Sequence, residues 1–115
     1  MSVKRLNAGP RMSGAVVNGN TVYLAGQVAD DTSQATAGQT KQVLAKIDAL
    51  LKAAGTDKSK LLSANVWLPD IGNFAEMNSA WDAWVSPGNT PARATVEARL
   101  ANPKYLVEIM VTAAV

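Results

Sequence analysis

Hydrophobic and polar residues alternate near both ends of the chain, whereas two segments between them follow a helical period. A short strand is predicted at about 3–6, and a β-hairpin follows at 15–17 and 21–27 around the turn Asn18-Gly19-Asn20. After a small, polar loop at 30–36, apolar residues recur at helical spacing from about 37 to 54, and Gly55 suits the end of that helix. The first half of the chain therefore predicts three strands and one helix.

The second half returns to alternation and then to the helical period. A strand is predicted at 62–68, with one side formed by Leu62, Ala64, Val66 and Leu68. A helix is predicted at 74–85, where Asn73 and Glu76 have the spacing of a cap and the apolar stripe consists of Phe74, Met77, Trp81 and Trp84. Two further strands, at 94–100 and 106–114, complete the order β-β-β-α-β-α-β-β.

This order predicts an α+β fold in one domain spanning 1–115, with a mixed sheet that has both helices on one face. Alternation assigns to the helix side of the last two strands Ala94, Val96, Ala98, Val107, Ile109, Val111 and Ala113. The opposite side then carries Arg93, Thr95, Glu97, Arg99, Glu108, Met110, Thr112 and Ala114. Since Met110, Ala114 and Trp67 make that second face partly apolar, closed symmetric association is expected to cover it.

The sequence contains no cysteine and no histidine. Their absence excludes thiol nucleophiles, disulfides, thiolate or imidazole metal sites, and serine–histidine triads. Any catalysis has to use carboxylates, arginine, lysine, tyrosine, hydroxyl groups or the backbone.

Charge and hydropathy limit the kinds of partner and the cellular locations that are plausible for the protein. The net charge is +2 and the basic residues are scattered, which argues against a nucleic-acid partner, because such partners normally leave a basic stripe. No apolar run approaches the length of a membrane span, and the first residues lead into no signal-peptide core. We therefore expect a cytoplasmic protein without a membrane partner.

Arg93 and Glu108 are the first candidates for chemistry, because parity places both on the non-core face of strands that we take to be adjacent. An arginine held there is a two-pronged donor for a carboxylate, and a nearby glutamate can position water or relay a proton. Thr95 adds a hydroxyl two residues from Arg93. The same pair is also typical of an interface salt bridge or of two solvated side chains, and periodicity alone favours that plainer interpretation.

Two further positions have open interpretations. Asn78 lies in the second predicted helix and points either into a cleft or to solvent, with a surface amide favoured by the pattern alone. Gly26 either permits close approach of the backbone to a ligand or marks a bulge, and the sequence does not separate the two.

Taken in order, several segments of the chain resemble the Rid/YjgF family of reactive-intermediate imine deaminases, which also goes under the name L-PSP endoribonuclease. The resemblance spans nearly the whole chain and rests on SGAVVNGNTVYLAGQV (13–28), QTKQVL (39–44), LKAAG (51–55), VWLPDI (66–71), FAEMN (74–78), PARATVE (91–97) and VEI (107–109).

The resemblance implies a chorismate-mutase-like fold and a homotrimer with clefts between subunits. It implies hydrolysis of enamine/imine intermediates such as 2-aminoacrylate to a 2-oxo acid and ammonia, without a metal or an organic cofactor. Arg93 matches the arginine that clamps the substrate carboxylate, and Glu108 matches the glutamate associated with the attacking water. Asn78, Gly26 and Thr95 match positions that line the cleft.

The chain also departs from the family pattern. Arg11 follows Gly9-Pro10 where a tyrosine is usual, Ala25 replaces a serine, and Thr95 replaces a cysteine. Met110 replaces the second glutamate of the last strand. Arg93 and Glu108 preserve the minimal arrangement, whereas the lost hydroxyl groups indicate a divergent branch.

An imine or enamine deaminase that acts on small carboxylate-bearing molecules is therefore the leading hypothesis. The alternative is a non-catalytic trimer that binds small carboxylates such as 2-oxo acids in the same cleft. Ribonuclease activity is less well supported, because the sequence lacks histidine, a metal-ligand cluster and a continuous basic groove.

Overall fold

Six strands and two α-helices form the part of the chain that the computed structural model describes, residues 2–115. The strands are β1 (Lys4–Leu6), β2 (Ala15–Asn18), β3 (Thr21–Leu24), β4 (Leu61–Leu68), β5 (Ala92–Glu97) and β6 (Glu108–Ala114). The helices are α1 (Thr36–Ala53) and α2 (Phe74–Trp84), and single 3₁₀ turns precede β4 and α2 at Lys58–Lys60 and Ile71–Asn73. The predicted α+β class and the order β-β-β-α-β-α-β-β are confirmed.

All six strands belong to one mixed sheet in the order β1-β2-β3-β6-β4-β5. Only β4 and β5 are parallel, because α2 carries the chain from one to the other as a crossover. The chain then returns and inserts β6 between β3 and β4. The prediction that the last two strands are adjacent was therefore wrong, since β4 separates β5 from β6.

The hairpin of β2 and β3 closes as the sequence predicts, with Asn18 opposite Thr21 and Gly19 at φ 62° in the turn. However, β3 ends at Leu24 rather than at 27. The chain rejoins the sheet only at Gln27, which exchanges backbone hydrogen bonds of 2.9 and 3.1 Å with Ile109. The residues between, Ala25 and Gly26, therefore lie beside the beginning of β6.

Both helices cover one face of the sheet, as predicted, and the core lies between the two layers. Its fully or nearly buried members include Val43, Ile47 and Leu51 of α1, Met77 and Trp81 of α2, Ala64, Val66 and Leu68 of β4, and Ile109, Val111 and Ala113 of β6. At the start of β4, an irregularity between Leu61 and Ser63 buries Leu61 and leaves Leu62 49% exposed. The prediction that Leu62 shares the inner face with Ala64, Val66 and Leu68 was therefore wrong, because the bulge turns its side chain outward.

The predicted facing of β5 is inverted. Its parallel register pairs Arg93 with Ala64 and Thr95 with Val66, so Arg93 and Thr95 share the helix-covered face with those buried residues. Ala94 and Val96 point to the open face, and Val96 is 48% exposed. Apolar alternation misled here because β5 is an edge strand, and the helix layer covers its inner face only in part.

The predicted cap of α2 is also corrected. Asn73 occupies the N-cap position but its side chain makes no capping hydrogen bond. The Glu76 carboxylate instead accepts a 2.8 Å hydrogen bond from the backbone N–H of Ala37, in the first turn of α1. This contact satisfies one of the free N–H groups at the start of α1, whose own N-cap residue is an alanine.

Among residues 2–115, neither helix is long and apolar enough to cross a membrane.

Candidate functional site

Arg93 is held on the inner face of the sheet by an amide and two aromatic rings. Its Nη1 donates a 2.9 Å hydrogen bond to Oδ1 of Asn78 on α2. Its guanidinium carbon lies 5.0 Å from the ring centroid of Trp81 and 5.8 Å from that of Phe74, within the range of cation–π attraction. These contacts fix the plane of the guanidinium, and they place Asn78 beside Arg93 rather than in solvent.

The charge of Arg93 is not neutralised by an ion pair within residues 2–115, where the one pair within 4 Å joins Lys46 and Asp30. Partial burial lowers the pKa of Arg93, and the negative charge of Asp82 opposes that effect. An arginine keeps its proton at neutral pH in spite of such a shift. The guanidinium is thus a partly desolvated cation with donors to spare, which suits a carboxylate ligand.

Thr95 adds a hydroxyl on the same face as Arg93. Its Oγ1 is buried and has no hydrogen-bond partner in the part of the chain that the structure describes. A buried hydroxyl without a partner costs stability, so a ligand or a neighbouring chain is expected to complete its hydrogen bonding.

Replacing Thr95 by valine is expected to maintain or raise the free energy of unfolding while it weakens ligand binding. The substitution keeps the shape of the side chain and removes the unpartnered hydroxyl, so the free energy of unfolding should stay constant or rise by about 1 kcal/mol. Ligand binding should weaken several-fold, because a hydrogen bond to the ligand is lost. Denaturant unfolding and calorimetric titration with a 2-oxo acid measure the two effects. A valine variant that is destabilised yet binds normally would contradict this role.

Glu108 lies on the other face of the sheet. It is the first residue of β6, opposite Trp67 in the antiparallel register, and precedes the fully buried Ile109. Because side chains alternate along a strand, Glu108 and Trp67 point away from the helices. The prediction that Arg93 and Glu108 share one face is therefore wrong: within one chain the sheet and the intervening strand β4 separate them.

Gly26 lies against the side chain of Glu108. A methyl group built on Gly26 would overlap Oε2 of Glu108 and would lie 3.1 Å from its Cδ. Gly26 does not depend on the backbone freedom of glycine, since its φ is not positive. Of the two interpretations of Gly26, the structure fits the bulge, because Tyr23 pairs with Thr112 but Gln27 with Ile109, which leaves one extra residue on this strand. The group that lies against the glycine is the flexible end of Glu108 from the same chain.

The Gly26→Ala variant is expected to push the Glu108 carboxylate out of its present position. A proposed catalytic group displaced by about 1 Å loses roughly tenfold or more in rate, so turnover should fall by at least that factor. The measurement is steady-state turnover, with the melting temperature and the oligomer mass recorded for the same samples. Unchanged turnover in a folded Gly26→Ala protein would show that the orientation of Glu108 does not matter.

Ala25 lies next to the glycine that contacts Glu108, whereas Arg11 lies in an exposed turn. Ala25 precedes Gly26 and donates its backbone N–H to the carbonyl oxygen of Gly14 at 2.9 Å. Arg11 lies in an exposed turn between β1 and β2, closed by a 2.8 Å hydrogen bond from Gly9 N–H to the Met12 carbonyl. Its guanidinium forms no ion pair within residues 2–115. Only Ala25 is thus fixed beside this half of the site.

Two neighbouring cavities share the segment 98–101, and the smaller one borders Glu108. The smaller, of about 250 Å³, is lined by Trp67, Ala98, Arg99, Leu100, Ala101 and Glu108. The larger, of about 800 Å³, is lined by Pro69, Glu97 and the segment 98–103. The loop that follows β5 forms a wall of both, whereas neither cavity includes Arg93. In a single chain, the cavity beside Glu108 and the Arg93 guanidinium are therefore in different places.

The sequence patterns did not identify three residues that contact the two candidate groups or the loops beside them. Trp81 and Phe74 were assigned to an apolar stripe, yet both rings face the Arg93 guanidinium. Gln39 was not singled out, although its side chain is fully buried. The signal for Gln39 was its place four residues before Val43 and eight before Ile47, which puts an amide on the buried face of α1.

Comparison with known proteins places this chain among a group of close relatives. The sequence model of the family described as Endoribonuclease L-PSP matches residues 3–115. A RutC family protein of Escherichia coli (strain K12) is 46% identical over 115 residues, which are 100% of this chain and 100% of that protein. A RutC family protein of Haemophilus ducreyi is 46% identical over 113 residues, covering 98% of this chain and 97% of the relative.

Solved structures agree with the sequence matches. A member of the YjgF protein family from Neisseria meningitidis superimposes with a TM-score of 0.96 at 46% identity, covering 99% of this chain and 95% of that chain. A protein of unknown function from the conserved Rid family of Yersinia pestis gives a TM-score of 0.85 at 32% identity, covering 94% and 90%. These likenesses confirm the chorismate-mutase-like fold that the sequence resemblance implied.

Proposed function

Since this chain belongs to the endoribonuclease L-PSP family, together with the RutC, YjgF and Rid proteins it resembles, we propose that it is a hydrolytic deaminase of reactive enamines and imines. Its substrates are small intermediates that derive from amino acids and keep the carboxylate, and its products are a 2-oxo acid and ammonia. The observation that carries the proposal is the unpaired Arg93 guanidinium, fixed by Asn78, Trp81 and Phe74 as a receptor for an anion.

The proposed role of Arg93 is to bind and orient the substrate carboxylate. A guanidinium presents two parallel N–H groups to the two carboxylate oxygens, which fixes the rotation of the ligand as well as its position. With the carboxylate fixed, the adjacent imine carbon occupies one place in the cleft. The Thr95 hydroxyl and the Asn78 amide are the neighbouring polar groups on this wall.

The proposed role of Glu108 is to handle water and protons. Its carboxylate accepts a proton from a water molecule as the water oxygen attacks the imine carbon, and it returns that proton to the nitrogen. The product of this step is a carbinolamine, whose hydroxyl proton then passes through the Glu108 carboxylate to the amino nitrogen. The carbon–nitrogen bond breaks as the carbonyl of the 2-oxo acid forms, and ammonia leaves. No nucleophilic side chain is required, because an imine carbon is already electrophilic.

Arg93 and Glu108 lie on opposite faces of the sheet, and this placement affects how chains would have to assemble to form a site. A substrate of a few heavy atoms has to touch both groups, yet one sheet separates them in each chain. Two chains solve this problem when the inner-face Arg93 of one borders the open-face Glu108 of another. The open face also carries Trp67, Met110, Tyr23 and Val96, an apolar set suited to an interface. Because the family resemblance implies three chains, we propose a homotrimer with closed symmetry and one cleft at each contact.

The proposed location is the cytoplasm. Imines hydrolyse in water soon after they form, so an enzyme that intercepts them has to act where amino acids are metabolised.

The test of this function is ammonia release from a panel of imines generated in situ by an amino-acid oxidase or dehydratase. The matched control for each imine is its counterpart with the carboxylate blocked as an amide. We expect the protein to accelerate release from the free carboxylates and to have little effect on the blocked compounds. No acceleration above spontaneous hydrolysis for any member of the panel would reject the deaminase proposal.

A second candidate function is a non-catalytic trimer that binds 2-oxo acids in the same cleft. It is favoured by Ala25, which provides no hydroxyl beside Gly26. Saturable binding of 2-oxo acids without turnover of any imine would support it. Ribonuclease activity is less well supported, because the Arg93 site is a single enclosed cation and not a basic groove. RNA cleavage lost in purified Arg93→Ala protein would reverse that judgement.

A further inference from the structure

We propose that Gln39 is a positioning residue, one that fixes Glu108 by tying together the two loops on either side of it. The side chain of Gln39 has no solvent exposure and lies between the loop that follows Gly26 and the loop that precedes Glu108. This inference rests on the proposed function for its effect on turnover, but its effect on the loops is independent of any substrate.

The contacts of the Gln39 amide use both of its polar ends. Its Oε1 accepts a 2.9 Å hydrogen bond from the backbone N–H of Leu106. Its Nε2 donates to the carbonyl oxygens of Gln34 at 3.0 Å and Lys104 at 3.1 Å, and lies 3.4 Å from that of Thr32. An amide has two N–H groups, so the shorter pair takes both protons. One buried side chain therefore links α1 and the loop just before it to the segment 104–106, which lies 65 to 67 residues further along the chain.

The loop before β6 depends on this link. Leu106 and Lys104 contact Gln39, and Glu108 follows Leu106 by two residues. Glu108 is the first residue of β6, so only the residues that follow it along the chain are held by strand pairing. On the other side, the chain is fixed where Gln39 holds Leu106. An earlier part of the same loop, 98–101, lines the cavity that borders Glu108.

The loop after Gly26 is held by the same helix. Gln42 accepts a 2.9 Å hydrogen bond from the Asp31 N–H and donates one of 2.9 Å to the Asp31 carbonyl. Lys46 donates to the carbonyl of Val28 at 2.9 Å and to Asp30 Oδ1 at 3.0 Å. With Gln39, these residues recur at intervals of three and four along α1 and form one polar column. This side of α1 therefore binds the 28–35 loop.

Gln39 is the member of this column that reaches both loops. Gln42 and Lys46 contact only the loop after Gly26. Loss of Gln39 therefore frees the loop before Glu108 and weakens the hold on the loop after Gly26, which Gln42 and Lys46 still bind. Arg93 on the other face keeps its contacts with Asn78 and the aromatic rings.

The experiment compares Gln39→Leu with Thr40→Val. Leucine keeps much of the bulk and removes every hydrogen bond of the amide. Thr40 is a matched control, because it is also fully buried on α1 and its Oγ1 bonds only to the Thr36 carbonyl at 2.7 Å within the helix. Both variants are studied as the full-length oligomer, at a temperature where each is folded. Should Gln39→Leu fail to fold, Gln39→Glu replaces it, since it keeps the shape and the acceptor for Leu106 but lacks the amide donors.

Two readouts are measured. Amide hydrogen exchange over 101–108 should accelerate at least tenfold in the Gln39 variant, and exchange over 28–35 should accelerate by a smaller factor, because Gln42 and Lys46 still bind that loop. In Thr40→Val, exchange in both loops should stay within about twofold. For turnover of the imine panel, kcat should fall at least tenfold while KM stays within about threefold, because the carboxylate clamp is untouched.

The outcomes separate the two proposals. Unchanged exchange in both loops of a folded Gln39 variant overturns the positioning role, whether or not the protein turns over imines. Equal loss of kcat in Thr40→Val overturns it as well, since a buried polar contact of any kind would then suffice. If the wild-type protein shows no turnover but hydrogen exchange in the loops still depends on Gln39, the deaminase function is rejected. The proposed linkage of the loops then stands.

Discussion

Arg93→Ala is expected to lower kcat/KM for carboxylate-bearing imines by about a hundredfold or more. Two charge-assisted hydrogen bonds to the carboxylate are lost, each worth roughly 1.5–3 kcal/mol, and 1.4 kcal/mol corresponds to a factor of ten. The loss should be largest in KM if the clamp acts equally on substrate and transition state. Ammonia release from the imine panel measures both constants.

Arg93→Lys should fall between wild type and Arg93→Ala. Lysine keeps the positive charge but replaces the flat, two-pronged donor that Asn78 and the Trp81 ring hold in place. The control is the carboxyl-blocked imine, whose slow reaction should be insensitive to either substitution. Equal losses for free and blocked substrates would contradict a carboxylate clamp and would indicate damage to the fold.

Mixing two inactive chains is expected to restore activity. When Arg93→Ala and Glu108→Gln chains are unfolded together at equal amounts and refolded, random assembly should leave about one quarter of the clefts with both native groups. This follows from the proposed trimer, in which each cleft draws Arg93 from one chain and Glu108 from its neighbour. The measurement is turnover of the refolded mixture relative to wild type refolded in the same way.

Two controls sharpen the mixing experiment. Variants refolded separately and then combined should stay inactive for as long as the subunits do not exchange. Wild type co-refolded with an equal amount of the Arg93→Ala/Glu108→Gln double variant should fall to about one quarter of full activity, rather than the half expected if every chain holds its own site. Absence of recovery, together with a half-active second mixture, would show that both groups act within one chain.

Much of the fold follows from local patterns. The helical period of α1, the Asn-Gly turn of the first hairpin and the glycine that ends α1 at a φ of 86° are each fixed by a few neighbouring residues. Strand order did not follow in the same way. The insertion of β6 between β3 and β4 is a pairing between distant segments, and alternation within a strand carries no information about its neighbour.

The sites of Arg93 and Glu108 illustrate the same division. Residue type and family resemblance identified both as candidates, and these do not depend on register. Their relative placement does: a single parallel pairing, Arg93 opposite Ala64, turns the arginine toward α2 and away from Glu108. A shift of one residue in that pairing would have placed them as the alternation of apolar residues suggested.

By itself the sequence determined the fold class, the succession of strands and helices, and the restriction of chemistry to groups other than thiol and imidazole. These properties depend on local periodicity and composition, which each segment carries with it. Tertiary structure alone decided which face each charged residue occupies, that Glu76 caps α1 and that Gln39 joins two loops. Those features arise from contacts between residues 39 to 67 positions apart, where packing and not local preference selects the partner.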